Sequence, residues 1–111
     1  MLLSTVEFGR AGVVVSDGAA ASVSGDTFVN SGAEMFAVFN GDASPKTVTF
    51  ETVITIDGFA VPDRSVTIPN GETWLIGPFP PAIYGNVVSV TYSAVTSVEV
   101  KVLKSPELRL A

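Results

Sequence analysis

Residues 69–84 read Pro-Asn-Gly-Glu-Thr-Trp-Leu-Ile-Gly-Pro-Phe-Pro-Pro-Ala-Ile-Tyr and combine a turn, a short strand and a proline-rich loop. The opening Pro-Asn-Gly is a turn signal, because proline fixes φ and the two residues after it tolerate positive φ. Residues 72–76 then predict a strand, which must end at Gly77 because three of the next four residues are prolines. Proline has no N–H for a central strand ladder and favours extended backbone before it. The segment after Gly77 is therefore predicted to be a stiff loop.

Three apolar side chains lie on this stiff loop: Phe79, Ile83 and Tyr84. An apolar group held on a stiff segment loses little conformational entropy when it docks, whether on its own core or on a partner. Two interpretations are therefore open. Either the loop closes the open end of a β-sandwich, or its three apolar side chains are contact residues for a partner.

The segments before the loop predict strands of two kinds. Residues 46–56 alternate between two faces, which predicts a half-buried strand with a bend near Thr52. One face of that strand carries Val48, Phe50, Thr52, Ile54 and Ile56. Met35–Phe39 is instead a continuous apolar run, which predicts a central strand covered on both faces.

Two further strands follow the loop. Residues 86–93 and 97–103 each alternate, with valines on one face. Since only Ala94-Val95-Thr96 separates them, they are predicted to form a terminal hairpin. The same alternation places Trp74 and Tyr92 at inward positions, where an aromatic side chain is expected to join the core.

The pattern as a whole predicts an all-β fold. About eight short strands follow one another at spacings of roughly 8–12 residues, and no long stretch has a helical period. We expect a single antiparallel β-sandwich, jelly-roll or Ig-like, in one domain over residues 1–111. Residues 104–111 form a C-terminal tail in this prediction. Leu108 and Leu110 on the tail have no evident core to join, so they belong to a frayed end, to an extra edge strand or to an arm that contacts a neighbouring subunit.

The charge distribution argues against nucleic-acid and membrane partners. The chain has 11 acidic and 6 basic residues, and the basic residues are scattered, so no basic patch indicates nucleic-acid binding. The apolar run Met35–Phe39 is the longest in the chain, and it is far shorter than the roughly 20 residues of a membrane-spanning helix. The first residues also lack the basic and apolar regions of a secretory signal.

Residues that would support catalysis or metal binding are scarce. The chain contains no Cys and no His, and neither Ser-x-x-Lys nor Gly-x-Ser-x-Gly occurs, which argues against serine hydrolysis. Paired carboxylates among the 11 acidic residues leave a small glycoside hydrolase open, but a chain of this size offers little room for a deep cleft. The sequence therefore predicts no enzyme and no catalytic residues. Asp57 with Asp63, and Asp42 near Asn40, lack the dense spacing of a calcium loop and are interpreted as turn residues. No metal site and no cofactor are predicted.

A carbohydrate-binding module is the alternative from a different class of function. Such modules stack sugar rings on exposed aromatic side chains. Because Trp74 and Tyr92 are predicted to face the core, Tyr84 is the one aromatic residue of the three that is predicted to lie on the surface. A single ring gives this alternative little support.

Several segments of the chain carry a resemblance to a known group of proteins. They are Gly-Asp-Thr-Phe-Val-Asn-Ser-Gly at 25–32, Phe-Asn-Gly-Asp at 39–42, Val-Thr-Ile-Pro-Asn-Gly-Glu-Thr at 66–73, Ile-Gly-Pro-Phe-Pro at 76–80 and Val-Thr-Tyr-Ser at 90–93. In these segments the chain resembles small all-β head proteins of tailed bacteriophages, of the capsid decoration or auxiliary type. The resemblance covers most of residues 25–103. The N-terminal Met-Leu-Leu and residues 104–111 lie outside it.

The resemblance implies a non-enzymatic structural protein of the virion. Such a protein needs no cofactor and binds the outside of an icosahedral capsid in many copies. The implied partners are the major capsid protein or other virion subunits, together with further copies of the chain, with a trimer favoured. The implied location is the capsid surface, after synthesis in the cytoplasm of the bacterial host. The alternatives are a phage tail or neck component and a carbohydrate- or protein-binding β-sandwich module.

Overall fold

The computed structural model describes residues 1–7, 18–53 and 55–104, which form two facing β-sheets. The strands are β1 (Thr5–Glu7), β2 (Ala19–Ala20), β3 (Asp26–Val29), β4 (Glu34–Asn40), β5 (Lys46–Phe50), β6 (Thr55–Ile56), β7 (Phe59–Ala60), β8 (Arg64–Ile68), β9 (Thr73–Ile76), β10 (Val87–Tyr92) and β11 (Val98–Lys104). One short helix, α1 (Pro81–Tyr84), lies between β9 and β10 in the described chain. The all-β sandwich predicted from the alternation is confirmed.

The two sheets have five and four strands. The five-stranded sheet has the order β1-β11-β4-β9, with β2 also paired to β11, and the four-stranded sheet has the order β3-β10-β5-β8. Strands β6 and β7 form a separate hairpin between β5 and β8. The strand pairs of the sandwich are antiparallel except for β1, which runs parallel to β11.

The core lies between the sheets and is formed by the inward-facing residues that the alternation predicted. In β5, for example, Lys46, Val48 and Phe50 are buried, while Thr47 and Thr49 are half-buried on the outer face. The largest fully buried apolar side chains are Phe28, Phe36, Phe50, Ile68, Val38, Val48, Val88, Val90, Val100 and Val102. Burying an apolar side chain of this size stabilises the fold by roughly 1.5–3 kcal/mol relative to leaving it exposed.

Strand β4 is a central strand, as its continuous apolar run predicted. It lies between β11 and β9 in the five-stranded sheet. Phe36 and Val38 on its inner face are fully buried, and Ala37 on its outer face is 3% exposed. The strand ladder with β11 extends from Val98 opposite Asn40 to Lys104 opposite Glu34.

The predicted terminal hairpin of β10 and β11 is wrong. Strand β10 pairs with β3 and β5 in the four-stranded sheet, whereas β11 pairs with β4 and β1 in the other sheet. The connection crosses from one sheet to the other through a turn in which Ser97 has φ 56°. The carbonyl oxygen of Ser97 accepts a hydrogen bond from Gly41 N. Strand β10 is already paired with β3 on one side and with β5 on the other, so it has no free edge for β11.

The described part of the chain contains no helix long and apolar enough to cross a membrane.

Candidate contact surface

The proline-rich loop closes one end of the sandwich. Helix α1 starts with Pro81 at its first turn, where a missing N–H costs nothing because that group has no partner within the helix. Gly77, which precedes the loop, has φ 137°, and a Cβ there would lie 3.1 Å from the carbonyl oxygen of Glu34, so this position requires glycine. The buried Asn30 side chain donates hydrogen bonds to the carbonyl oxygens of Phe79 and Gly85 at 2.8 and 3.0 Å. Both ends of the loop are thereby fixed.

Phe79 is part of the core. Its side chain is 2% exposed, and its ring centroid lies 4.7 Å from that of Phe50 and 5.6 Å from that of Phe28. This placement agrees with the first interpretation of the loop, in which the loop closes the sandwich. As the chain stands in this structure, Phe79 presents almost no surface to a partner.

The other predicted contact residues keep part of their surface or lie outside the described chain. Tyr84 is half-buried, with its ring edge-to-face against Phe79 at 5.3 Å, and Ile83 is also half-buried. The carbonyl oxygen of Ile83 accepts a hydrogen bond from Val53 N. Leu108 and Leu110 fall in residues 105–111, outside the described residues. Lys104, predicted to begin the tail, is the last residue of β11.

A small cavity of about 170 Å³ opens beside the loop. Its lining residues are Arg64, Ile76, Gly77, Pro78, Phe79 and Tyr84. Arg64 is exposed, and its side chain makes no hydrogen bond or ion pair with any other described residue. The guanidinium group therefore keeps its donors available to a carboxylate at the edge of an apolar depression.

Strand β9 carries exposed apolar side chains at the edge of the five-stranded sheet. Trp74 is 38% exposed and Leu75 is 53% exposed. The expectation that Trp74 belongs to the core is wrong in part. Trp74 does face inward, opposite the buried Val38, but β9 is an edge strand and the indole opens to solvent at the side of the sandwich. Its Nε1 donates a hydrogen bond to the Glu72 carboxylate at 3.0 Å.

The β6–β7 hairpin carries another exposed aromatic residue, which the sequence reasoning missed. Phe59 is 77% exposed, and Val53 just before the hairpin is 62% exposed. The turn is formed by Asp57 and Gly58, both at positive φ. The Asp-Gly pair between apolar residues is a hairpin signal that could have marked Phe59 as a tip residue.

The acidic residues considered as metal ligands have structural partners. Asp42 accepts hydrogen bonds from Lys46 Nζ at 2.5 Å and Ser44 Oγ at 3.1 Å, and the Lys46 bond holds the pKa of Asp42 below its usual range. Asp63 accepts a hydrogen bond from Thr52 N at 2.9 Å. Among the described residues, no group of three or more acidic side chains could hold a metal ion.

One buried carboxylate lies inside the sandwich. Asp26 is 1% exposed, and its Oδ2 accepts hydrogen bonds from the Tyr92 hydroxyl at 2.7 Å and from Ser22 N at 3.1 Å. Burial, together with the adjacent Asp26 carboxylate, raises the pKa of Tyr92 well above its ordinary value. Tyr92 therefore stays protonated and acts as a hydrogen-bond donor in the core. The predicted inward orientation of Tyr92 is confirmed.

Fold and surface together define a two-sheet β-sandwich that exposes apolar groups on an edge strand and a hairpin. Comparison with protein-family models, with curated proteins and with solved structures finds no match to this chain.

Proposed function

We propose that the chain is a non-enzymatic structural protein of a tailed-phage virion that decorates and stabilises the capsid. The proposal starts from the resemblance of the segments between residues 25 and 103 to small phage head proteins. The observation that carries it furthest is the exposure of large apolar side chains, Trp74, Leu75 and Phe59, at an edge strand and a hairpin tip. Exposed apolar groups of this kind are typical of protein contact surfaces.

The partner in this proposal is the major capsid protein or another virion subunit. A decoration protein occupies many equivalent positions on one shell, so weak individual contacts combine into stable attachment. Further copies of the chain are additional partners, and the trimer implied by the resemblance is the oligomer we propose. A tail or neck component is the variant with the same contact chemistry but a different place in the virion.

The C-terminal tail belongs to this proposal as a contact arm. Leu108 and Leu110 are apolar and follow the last described strand of the sandwich. An arm that docks two leucines on a neighbouring subunit would bury apolar surface that the subunit alone does not cover.

Binding to preformed shells tests the proposal. The major capsid protein encoded in the same genome would be assembled into shells, mixed with increasing amounts of the chain and sedimented. We expect saturable binding at a fixed ratio of chain to capsid subunit. Failure of the chain to sediment with mature and immature shells would contradict the decoration role, and binding to purified tails instead would favour the tail or neck variant.

A carbohydrate- or protein-binding module is the second candidate, and one observation favours it. The indole of Trp74 is partly exposed, and the cavity lined by Arg64 and Tyr84 adds a polar and an aromatic group on the side of the sandwich. An exposed indole can stack on a sugar ring. Saturable glycan binding by the chain that is lost in Trp74→Ala, without shell binding, would favour this candidate over decoration.

A further inference from the structure

Strand β9 has an unpaired backbone edge. It is the last strand of the five-stranded sheet and, among the described residues, pairs with β4 alone. Asn40 N donates a hydrogen bond to the carbonyl oxygen of Glu72, so Glu72 and every second residue after it direct their backbone groups to β4. Thr73 and Leu75 therefore direct their N–H and C=O groups away from the sheet. These groups form a ready template for another strand.

Strand β9 is four residues long, and its residues lack the other features that normally prevent strand addition. Proteins protect edge strands with lysine, proline, bulges or inward-pointing charges. Strand β9 reads Thr-Trp-Leu-Ile and contains none of these residues. Its two largest side chains are exposed on opposite faces, since Trp74 faces the inner side and Leu75 the outer side of the sheet. An added strand would therefore cover apolar surface on both faces.

We propose that β9 pairs in antiparallel fashion with β9 of a second copy of this chain, with a two-fold axis at Leu75 and with Glu72 of each copy bound by Arg64 of the other. This contact is separate from the trimer contact and would join copies that belong to different trimers. It assigns the exposed side chains of β9, Trp74 and Leu75, to a second copy of the chain and leaves Phe59 on the β6–β7 hairpin for capsid attachment. A two-fold contact uses the same surface on both copies, so both charged residues occur in it twice.

The register follows from strand geometry. Opposite residues in an antiparallel pair face the same side of the sheet, so an inward residue must meet an inward residue. With Leu75 opposite Leu75, Trp74 lies opposite Ile76 of the second copy, and Thr73 lies opposite Gly77. Thr73, Gly77 and Leu75 all have the N–H that the ladder requires. Pro78, which has none, falls just outside the last hydrogen-bonded pair.

Charge complementarity identifies a second copy as the occupant. In this register Glu72 of one copy lies opposite Pro78 of the other, and Arg64 lines the cavity beside Gly77 and Pro78. Within one chain, Arg64 has no ionic partner among the described residues, and the Glu72 carboxylate accepts only the hydrogen bond from Trp74. Pairing across the two-fold axis gives each charge the opposite charge. Two chains of net charge −5 would otherwise repel each other.

The cavity also suits the shape of a glutamate side chain. It has about 170 Å³ of space, and the apolar side chains of Ile76 and Phe79 lie beside the Arg64 guanidinium. A glutamate side chain has an apolar stem and a carboxylate that can accept two parallel hydrogen bonds from a guanidinium. Glu72 of the second copy therefore suits both the apolar lining and the charge of this cavity.

Charge reversal at the two positions tests the contact. We expect the full chain to self-associate in sedimentation equilibrium, and we expect Glu72→Arg and Arg64→Glu each to weaken the association constant by about tenfold or more. The double variant Glu72→Arg with Arg64→Glu restores the opposite charges in exchanged positions and should recover most of the association. Glu99→Arg is the matched control, because Glu99 is exposed on β11 and the change in net charge equals that of Glu72→Arg.

Several outcomes would overturn the proposal. A wild-type chain that stays monomeric up to its solubility limit would do so. So would single reversals that leave the association constant unchanged, or a double variant no better than the singles. Thermal unfolding of each variant, followed by circular dichroism, establishes that the variants are folded, so a loss of association is attributable to the contact.

A disulfide cross-link tests the register independently. The chain contains no cysteine, so Leu75→Cys introduces a single thiol. Opposite residues of a hydrogen-bonded antiparallel pair have Cα atoms about 5.5 Å apart, which lies within the range for a disulfide. We expect mild oxidation to give a cross-linked dimer of Leu75→Cys and none of Val23→Cys. Val23 is 85% exposed and follows β2, which is separated from β9 by β11 and β4 in the five-stranded sheet. Equal cross-linking of the two variants would contradict the register.

Discussion

Two buried asparagines connect parts of the sandwich that strand pairing leaves unconnected. Asn30 follows β3 and binds the carbonyl oxygens of Phe79 and Gly85 in the proline-rich loop. Asn40 ends β4 and binds the carbonyl oxygens of Ser44 and Ile68 at the opposite end. Each asparagine also accepts a backbone N–H two residues further on, so each forms a turn and connects two loops at once.

Replacement of Asn30 measures the strength of this connection. In Asn30→Ala the buried carbonyl group of Phe79 and the part-buried carbonyl group of Gly85 lose their donor, and an unsatisfied buried group costs about 1–3 kcal/mol. We expect the free energy of unfolding to fall by about 2–4 kcal/mol in urea denaturation. Asn86→Ala, at an exposed position, should change it by no more than about 0.5 kcal/mol. Equal losses in the two variants would contradict the role assigned to Asn30.

Glu34 makes the stability of the chain depend on pH. Burial raises the pKa of Glu34, but hydrogen bonds from the backbone and hydroxyl of Ser31 outweigh this effect and lower the pKa below its ordinary value of 4.5. A lowered pKa in the folded chain stabilises it above pH 4.5, and this stability is lost as the pH falls through the lowered value.

The prediction for Glu34 is therefore a smaller loss of stability in acid when its carboxylate is removed. We expect Glu34→Gln to be less stable than the wild type at pH 7 and to lose less stability than the wild type between pH 5 and pH 3 in urea denaturation. Ser31→Ala removes one donor and should reduce the pH dependence part of the way. An unchanged pH dependence in Glu34→Gln would show that other carboxylates are responsible.

For the strands, the alternation of apolar and polar residues correctly predicted which side chains face the core, but it did not predict which strands pair with each other. The inward faces of β5, β10 and β11 follow directly from a period of two, because successive side chains point to opposite sides of a strand. Which strands become neighbours depends on contacts between residues distant in sequence. This is why the short link between β10 and β11 wrongly indicated a hairpin, and why the inward position of Trp74 did not reveal that β9 is an edge strand.

The same limit applies to the candidate contact surface. Proline content correctly predicted that the strand ends before Gly77, but composition could not decide whether the side chain of Phe79 faces the core or the solvent. The Phe79 ring packs against Phe28 and Phe50, which come from different strands of the four-stranded sheet. The space that receives the ring therefore depends on strand pairing. Phe59 was missed because a two-strand hairpin of two residues each has no periodicity that can be read from sequence.

Two phenylalanine variants distinguish a residue that stabilises the core from one that is exposed on the surface. Phe79→Ala leaves a cavity beside three aromatic rings, and a loss of about 3–5 kcal/mol in the free energy of unfolding is expected. Phe59→Ala removes a side chain that is 77% exposed, and the expected change is within about 0.5 kcal/mol. Chemical denaturation checks both. If Phe59 contacts the capsid, Phe59→Ala should retain its stability and bind shells more weakly.

At the scale of the whole molecule, the sandwich offers different surfaces for different contacts. The β9 edge suits a second copy, while the β6–β7 hairpin and the C-terminal tail suit a shell or a neighbouring subunit. Removal of residues 105–111, which leaves β11 complete, tests the tail. We expect light scattering to show fewer subunits per particle for the shortened chain than for the full chain, after division by the mass of each subunit. An unchanged number of subunits would assign self-association to other surfaces, such as β9.

The stability of the capsid tests the proposed decoration role most directly. Shells of the major capsid protein from the same genome would be heated with and without a saturating amount of the chain, and their disruption followed by light scattering. We expect disruption at a higher temperature when the chain is bound, because a ligand that binds only the intact shell stabilises it. Disruption at the same temperature, with the chain present on the shell, would contradict a stabilising decoration protein.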